Sequence, residues 1–339
     1  KYRRGIHDVD VVFGGGPVHA RMKHSGLLQP CELAGQVLQQ LPETIAGEPL
    51  VDPEGFWYGA AISTFGLIYN EELLERRNLP AVTEWSDMER PEFFGLVGVA
   101  DPTRSGSVRK AYEIVLQAYG YDRGMEILTR MAANARTIGQ SGSDIPTDCA
   151  QGFVAVGVCI DFYAWRQKMS PGGERIGFTV PKGMTVINTD PISVLRDCPH
   201  PEAAEVFVRF VLSPAGQRLW SYRKGTPGGP TEETLGRLAV LPEVYEEGKP
   251  YLVPGLENPL DAPPNTFYDQ ARENARIEIL PAFLKALMTS NKQMLSEAWE
   301  AVIAAGLPED LVEKLTRPLI TEEEMLRLAR EVWAPVVVP

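Results

Sequence analysis

The sequence predicts an α/β protein built as two lobes, and three observations support that prediction. Runs of β-branched and apolar residues alternate with amphipathic helical patterns along residues 8–212, as they do in layered α/β folds. Two long extended stretches, residues 56–70 and 184–195, contain the internal glycine or proline often found in strands that cross between lobes. The chain has 339 residues, of which 44% are hydrophobic, and this is enough for two cores.

The composition limits the classes of partner. The net charge is −12, which argues against nucleic acid or an anionic membrane. A small anion is still compatible with this charge, because a local group of N–H donors beside one arginine outweighs a distant, screened surface charge. No apolar run approaches the roughly 20 residues of a membrane-spanning helix. The composition is that of a soluble globular protein.

The first strand–turn–helix unit lies near the start of the sequence. Residues 8–13 form a short β-branched run, Gly14, Gly15 and Gly16 follow, and a helix is predicted over residues 18–25. Three glycines allow a ligand to approach the backbone closely, so Gly15 is a candidate ligand contact. The pattern is neither GxGxxG nor a P-loop, which argues against a dinucleotide or nucleoside triphosphate site.

The central unit joins a strand at residues 96–100 to a helix that starts after Ser105. The first turn of that helix contains Gly106 and Ser107, and its unpaired backbone N–H groups are directed at one point, where the helix dipole favours an anion. Arg104 adds a planar cation beside this point. A plain N-cap role for Ser105 or Ser107 is the alternative.

A third unit repeats this construction. Ser141, Gly142 and Ser143 precede a short helix predicted over residues 145–150. If the two serine turns face each other, their donors can surround one phosphate-sized anion. The recurrence favours a binding site over isolated N-caps.

The remaining candidate ligand contacts lie on the extended stretches and at the start of a further helix: Trp57, Thr64, Asp161, Tyr163 and Asp190. Trp57 and Tyr163 would pack on the organic part of a ligand, and Asp161 or Asp190 would accept hydrogen bonds from its hydroxyl groups. Two alternatives stay open, since Trp57 is equally suited to a core and Asp161 to a helix N-cap.

Other features predict structure rather than chemistry. Residues 201–212 predict a helix whose apolar stripe belongs to the core: Ala203, Ala204, Phe207, Phe210 and Val211. Further helices are predicted from residue 268 to residue 333. The four cysteines show no metal-binding spacing and are either buried thiols or disulfides: Cys31, Cys149, Cys159 and Cys198.

Five segments occur in the order found in a known family. They are residues 10–17 (DVVFGGGP), 26–30 (GLLQP), 66–70 (GLIYN), 101–107 (DPTRSGS) and 200–217 (HPEAAEVFVRFVLSPAGQ). Together they resemble the extracellular solute-binding proteins of ABC importers, in the branch around the ferric-ion-binding proteins. The resemblance spans about residues 8–220.

This resemblance implies a two-lobed type 2 periplasmic-binding-protein fold with hinge strands and a ligand in the cleft between the lobes. Lobe one would comprise residues 1–69 and 188–239, lobe two residues 70–187, and the C-terminal helices within residues 240–339 would brace both. The resemblance also implies a monomer that delivers its ligand to a permease in the inner membrane. Its location would be periplasmic or extracellular, with or without a lipid anchor, and an N-terminal segment is expected before Lys1.

The resemblance also raises ferric iron as a ligand. The ferric members hold the metal with two adjacent tyrosines plus His or Glu, whereas here Tyr163 is followed by Ala164, and glycines follow the strand at residues 10–13. Because Fe³⁺ requires several hard anionic oxygens, the sequence favours the anionic organic ligands of the branch. Tyr163 is the metal contact if iron binds.

The sequence therefore predicts the binding component of an ABC importer that captures a small solute bearing phosphate, phosphonate or carboxylate, without a cofactor. A ferric-iron-binding protein is the first alternative. An enzyme on the same fold is the second, although the sequence contains no nucleophile elbow, His–Asp pairing or His/Cys metal cluster. A sensory module would require a fused membrane-signalling domain, which this sequence does not contain.

Overall fold

The computed structural model describes residue 5 and residues 7–16, 18–33, 35–263 and 266–332 of the chain. The chain divides into two units. Unit 1 comprises Lys1–Thr64 and Ile187–Asn265, and unit 2 comprises Phe65–Val186 and Thr266–Pro339. The lobe boundaries derived from the sequence, with residues 240–339 bracing both lobes, stay a prediction. Within the described ranges, no helix is both long and apolar enough to cross a membrane.

Strands and helices alternate along most of the chain. The strands are β1 (Val11–Phe13), β2 (Leu28–Gln29), β3 (Thr44–Ile45), β4 (Glu48–Pro49), β5 (Tyr58–Asn70), β6 (Val97–Ala100), β7 (Ala135–Gly139), β8 (Val156–Ile160), β9 (Ile176–Thr179) and β10 (Ile187–Leu195). The helices are α1 (Val18–His24), α2 (Gly35–Gln40), α3 (Glu71–Arg76), α4 (Gly106–Tyr119), α5 (Tyr121–Asn134), α6 (Asp144–Ala150), α7 (Asp161–Lys168), α8 (Pro201–Leu212), α9 (Pro214–Ser221), α10 (Pro242–Glu247), α11 (Gln270–Arg276), α12 (Leu280–Leu284), α13 (Lys292–Ala304), α14 (Glu309–Thr316) and α15 (Glu322–Val332). A π-helical turn, Lys285–Ser290, follows α12 directly.

β10 is the central strand of unit 1. It pairs antiparallel with β1, with β2 and with the first half of β5, so that Phe13 lies opposite Ile192 and Ala61 opposite Asp190. β-Branched residues are frequent in these strands, which suits a pleated surface with a buried face. Beyond β1 the chain continues alongside β10, and the Gly14 amide donates to the Pro191 carbonyl over 2.8 Å. This register places the glycine loop beside residues 188–191.

Unit 2 contains a mixed sheet. The second half of β5 pairs antiparallel with β8 and β9, while β6 runs parallel to both β8 and β7. The largest side chains of its core include Trp85, Tyr112 and Trp299, all fully buried. Because β6, β7 and β8 are parallel, their carboxyl ends lie at one edge of the sheet, and α4, α6 and α7 begin there.

The long strand β5 contains two glycines that do not interrupt it. It runs as one strand of 13 residues, the first part in unit 1 and the rest in unit 2. A side chain at Gly66 would collide with the backbone carbonyl oxygen of Thr179 on β9. Glycine therefore allows close pairing at this position.

The core stripe predicted for α8 is wrong at three of its five residues. Phe207 and Phe210 are 51% and 47% exposed, and Ala203 is also exposed, whereas Ala204, Val208, Val211 and Leu212 are buried. Apolar residues occur nearly all round this helix, so two stripes rotated by one residue fit the same periodicity. The stripe at positions 204, 208 and 211 packs inward.

The four cysteines are free, buried thiols. Of the two alternatives left open by the sequence, the structure has the thiols rather than disulfides. Burial raises the pKa of the Cys31 thiol to about 11, so this thiol stays protonated at neutral pH.

Candidate functional site

The candidate site of unit 2 is built from three loops at one edge of its sheet. The first loop follows β6 and ends at Ser105, the second follows β7 and contains Ser141–Ser143, and β8 leads directly into Asp161. Because the three strands are parallel, the sheet delivers these loops to the same edge. In open α/β sheets, ligands bind outside the carboxyl ends of the strands.

The two serine turns lie against each other. A Cβ atom at Gly142 would be 2.8 Å from the Ser105 hydroxyl oxygen and 2.9 Å from that of Ser107. Within the first turn the Oγ atoms of Ser105 and Ser107 are 3.2 Å apart, and within the second those of Ser141 and Ser143 are 2.9 Å apart. The structure therefore brings Ser105, Ser107, Gly142, Ser141 and Ser143 into one cluster, which we call the serine cluster.

The start of α4 supplies backbone donors to the serine cluster. Ser105 is the N-cap, and its Oγ accepts the Val108 amide over 3.4 Å, so the N-cap alternative also holds for this residue. Among the described residues, neither the Gly106 amide nor the Ser107 amide donates a hydrogen bond. Two donors at the positive end of a 14-residue helix are thus available to an anion.

The second turn contributes differently from what the sequence predicts. The Gln140 and Ser141 amides donate to Asp144 Oδ2 over 2.8 and 2.9 Å, and the Ser143 amide donates to Ser141 Oγ over 3.3 Å. These amides are engaged within the loop and are not directed at a ligand. The second turn supplies hydroxyl groups and a close backbone approach at Gly142 instead.

Arg104 is exposed at the same loop. Asp101 is the carboxylate nearest to Arg104 along the sequence, but its Oδ2 pairs with Lys285 Nζ at 3.1 Å. No carboxylate of the described chain lies within salt-bridge distance of the Arg104 guanidinium. The described residues therefore leave this planar cation without a neutralising carboxylate, and it is suited to an external anion.

Asp161 and Tyr163 begin the third element of this edge. Asp161 is the first residue of α7 rather than its N-cap, which is Ile160, and its buried Oδ1 accepts the Phe162 amide over 2.7 Å. Tyr163 is half-buried, with its ring 4.4 Å from that of Phe162. Within the described residues, no group of three or more His, Cys, Asp or Glu side chains is arranged to hold a metal ion.

The other candidate contacts lie in unit 1. Gly15 lies in a loop of three left-handed glycines (φ 77°, 86° and 51°) next to Asp190, whose Oδ2 accepts Ser63 Oγ over 2.6 Å and Arg237 Nη1 over 2.8 Å. Trp57 directly precedes β5, and Thr64 lies seven residues later within β5. At the usual rise per residue of a strand, this separates the two residues by about 23 Å. Unit 1 thus brings Gly15 and Asp190 together, while Trp57 and Thr64 lie far from each other along the chain.

Sequence reasoning missed His19, which holds the glycine loop. His19 is 1% exposed, its Nε2 donates to the Gly14 carbonyl over 2.7 Å, and its Nδ1 accepts the Ser193 hydroxyl. Burial lowers the pKa of His19, outweighing the hydrogen bond to Gly14 and the nearby Asp190 carboxylate. Lys285 and Arg237 were also missed, because each meets its carboxylate through the tertiary fold. Asp144 carried a local signal, since an acid just after a Ser-Gly-Ser turn is typical of a helix start.

Comparison with known proteins identifies relatives of this chain. Residues 7–257 match the family model described as bacterial extracellular solute-binding protein. The phosphoglycerate transport regulatory protein PgtC of Salmonella typhimurium is 30% identical over 159 residues, which cover 47% of this chain and 39% of PgtC. The match thus spans less than half the length of that curated relative. An uncharacterized protein of Haemophilus influenzae is 25% identical over 213 residues, 62% of this chain and 60% of that protein.

Solved structures resemble most of the chain in fold at low sequence identity. The periplasmic binding protein AfuA from Actinobacillus pleuropneumoniae, with fructose-6-phosphate bound, has a TM-score of 0.57 at 19% identity, covering 86% of this chain and 82% of AfuA. Iron-bound HitA from Pseudomonas aeruginosa has a TM-score of 0.56 at 20% identity, covering 85% and 82%. The substrate-binding protein of an ABC transporter from Agrobacterium tumefaciens has a TM-score of 0.61 at 17% identity, covering 85% and 80%. These similarities confirm the predicted type 2 periplasmic-binding-protein fold. With the match over residues 7–257, they establish that this chain belongs to the bacterial extracellular solute-binding protein family and is a binding protein rather than an enzyme.

Proposed function

We propose that this protein captures a small organic anion bearing a phosphate, phosphonate or carboxylate group at the serine cluster of unit 2. The observation that carries the proposal is the contact of Gly142 with Ser105 and Ser107, which places the hydroxyls of two loops beside the open amides of α4. Phosphate and carboxylate oxygens accept several hydrogen bonds at once, and charged acceptors make the stronger ones. The serine cluster offers several neutral hydrogen-bond donors, and Arg104, just before it in the chain, adds a cation.

The carboxylates nearest the cluster do not oppose this role. Asp101 is neutralised by Lys285 and accepts from Thr103, and Asp144 Oδ2 accepts two backbone amides. Engaged carboxylates repel an incoming anion less than free ones. Tyr163 would pack on the organic part of the ligand and Asp161 would accept from its hydroxyls. The contacts predicted in unit 1 (Gly15, Trp57, Thr64 and Asp190) stay predictions.

The relatives favour a phosphorylated ligand. PgtC is named for phosphoglycerate transport, and the AfuA structure contains fructose-6-phosphate. HitA is iron-bound, so ferric iron is the alternative that the experiment must separate. In this chain Tyr163 is followed by alanine, which leaves one tyrosinate where Fe³⁺ needs several hard oxygens.

The family supports a role in import. We infer that the loaded protein docks on an ABC permease in the membrane and acts as a monomer outside the cytoplasmic membrane, with or without a lipid anchor. The family description supports two parts of this inference, the extracellular location and the solute-binding role.

Native mass spectrometry of the freshly purified protein, followed by calorimetric titration, tests the proposal. The probes are 3-phosphoglycerate, fructose 6-phosphate, inorganic phosphate and ferric nitrilotriacetate. The proposal expects saturable 1:1 binding of at least one phosphate ester and no tyrosinate–iron absorption band. Stoichiometric iron with that band, or no binding of any anionic probe, would overturn it.

A further inference from the structure

We propose that Lys285 is a positioning residue that sets the affinity of the serine cluster by holding Asp101, without touching the ligand. The inference rests on the function proposed above and deepens it. It assigns a role in binding to the helices that follow residue 257, where the family match ends. Lys285 and Asp101 belong to the same unit although 184 residues separate them.

Asp101 is the point from which the first serine loop is held. Its carboxylate is 2% exposed, and Oδ1 accepts both the Thr103 amide over 2.8 Å and the Thr103 hydroxyl over 2.6 Å. Its backbone carbonyl accepts the amides of Arg104 and Ser105 over 3.1 and 3.2 Å. Residues 103–105 are therefore each bonded to Asp101.

Asp101 also connects the two loops of the cluster. Its amide donates to the carbonyl of Gly139 over 2.9 Å, at the end of β7 and just before the second serine turn. A shift of Asp101 would thus move the first loop relative to the second. Because hydrogen-bond strength falls steeply with geometry, a small shift would misalign the hydroxyls and amides of the cluster.

Lys285 is delivered to Asp101 by an unusual backbone segment. It is the first residue of the π-helical turn after α12, and such turns are rare and frequently occur at functional sites. Leu284 and Met288, on either side, are 0% and 1% exposed and anchor the turn in the core. The Lys285 side chain is 45% exposed, yet its Nζ reaches the buried Oδ2 of Asp101.

The same C-terminal helices hold α4 through charged pairs. Lys110 pairs with Glu273 at 2.7 Å, and Arg276 pairs with Glu113 at 2.6 Å. Positions 110 and 113 are neighbours on one face of α4. These two pairs stabilise the position of α4 itself. The Lys285–Asp101 pair instead contacts the loop that precedes α4.

Electrostatics gives Lys285 a second effect on the same loop. Burial alone would raise the pKa of Asp101, but the hydrogen bonds from Thr103 and the ion pair with Lys285 outweigh it and lower the pKa. Asp101 is therefore ionised at neutral pH and places a negative charge near the site proposed for an anion. The positive charge of Lys285 offsets this negative charge.

Calorimetric titration with 3-phosphoglycerate tests the proposal on Lys285→Met, Lys285→Arg and Lys314→Met. Lys314 is exposed on α14 and is the matched control for loss of one positive charge. We expect Lys285→Met to melt at a lower temperature, because the buried Asp101 carboxylate loses its cation. At a temperature where both proteins are fully folded, it should bind about three- to thirtyfold more weakly than the parent. Lys285→Arg should restore most of the affinity, and Lys314→Met should bind like the parent. Equal affinities of Lys285→Met and Lys314→Met would overturn the proposal.

A double-mutant cycle with Asp101→Asn shows whether Lys285 acts through Asp101. If it does, Lys285→Met has little further effect once Asp101 is uncharged. If Lys285→Met weakens binding equally in both backgrounds, its own charge acts on the ligand and the proposal is wrong.

Hydrogen exchange of the unliganded protein separates this inference from the proposed function. Lys285→Met should speed exchange of the hydrogen-bonded amides at residues 103–105 and 108, whereas Lys314→Met should not. If the parent binds no phosphate probe, the proposed function is wrong. Hydrogen exchange then still tests whether Lys285 stabilises the loop that ends at Ser105. Unchanged exchange in Lys285→Met would refute the positioning role itself.

Discussion

Gly142 lies so close to Ser105 that a methyl group on its α-carbon would be 2.8 Å from the Ser105 hydroxyl oxygen. This contact joins two helix-start loops that are 37 residues apart in the chain. Each loop alone is compatible with ordinary helix capping. Their contact makes them one cluster of hydroxyl and amide donors.

We predict that Gly142→Ala destabilises the protein because the added methyl group forces the hydroxyls of Ser105 and Ser107 to rotate away. Rotation of Ser105 breaks its N-cap bond with the Val108 amide, and loss of such a cap costs about 0.5–2 kcal/mol in the free energy of unfolding, measured by urea denaturation. Gly106→Ala is the matched control, since nothing lies within 4 Å of a Cβ there, and its stability should stay within about 0.5 kcal/mol of the parent. Equal losses in the two variants would contradict the close contact.

We predict that Arg276→Met is among the most destabilising substitutions in unit 2. Arg276 and Glu113 are 1% and 2% exposed, and removing the arginine leaves a buried carboxylate without its partner. The expected cost is about 3–5 kcal/mol in the free energy of unfolding. Arg272→Met, on the same helix, removes a half-exposed side chain 3.5 Å from Glu322 and should cost less than about 1 kcal/mol. Comparable losses in the two variants would argue against a buried ion pair.

His19 predicts a pH dependence of stability. Because burial lowers its folded-state pKa, the unfolded chain takes up a proton near pH 6.5 while the folded chain resists it. The free energy of unfolding should therefore fall as the pH drops below about 6.5 toward the folded-state pKa. In His19→Gln the free energy of unfolding should fall less steeply with decreasing pH than in the parent. His24→Gln alters an exposed residue of the same helix and should show the same pH dependence as the parent. Parallel stability curves for the parent and His19→Gln would rule this out.

Local signals made the framework of the site predictable. The apolar run before Pro102 and the helical pattern after Ser107 predict β6 and α4, and the structure confirms both. The order of five short segments was enough to predict the family, because turn and cap residues are tied to backbone geometry. Repetition of the Ser-Gly-Ser turn suggested that the two turns face each other, and in the structure Gly142 lies against Ser105 and Ser107. That the turns form a binding site stays a prediction.

Long-range partners were not predictable, whereas the competing local bonds of Asp144 carried a sequence signal that the prediction did not use. Nothing near Asp101 in the sequence indicates Lys285, since the pair depends on where the C-terminal helices pack. Asp144 takes amides that the sequence assigned to a ligand. Phe207 and Phe210 fit a core stripe by period alone, and only packing decides which of two adjacent stripes turns inward.

Calorimetric titration of Arg104→Ala tests most directly whether the serine cluster binds an anion. Arg104 directly precedes the serine cluster and has no carboxylate partner among the described residues, and a hydrogen bond to a charged group contributes roughly 1.5–3 kcal/mol. With 3-phosphoglycerate as the probe, we expect Arg104→Ala to bind about ten- to a hundredfold more weakly than the parent. Arg317→Ala, which removes an exposed arginine at the end of α14, should leave the affinity unchanged. Binding of Arg104→Ala at the affinity of the parent would contradict the account.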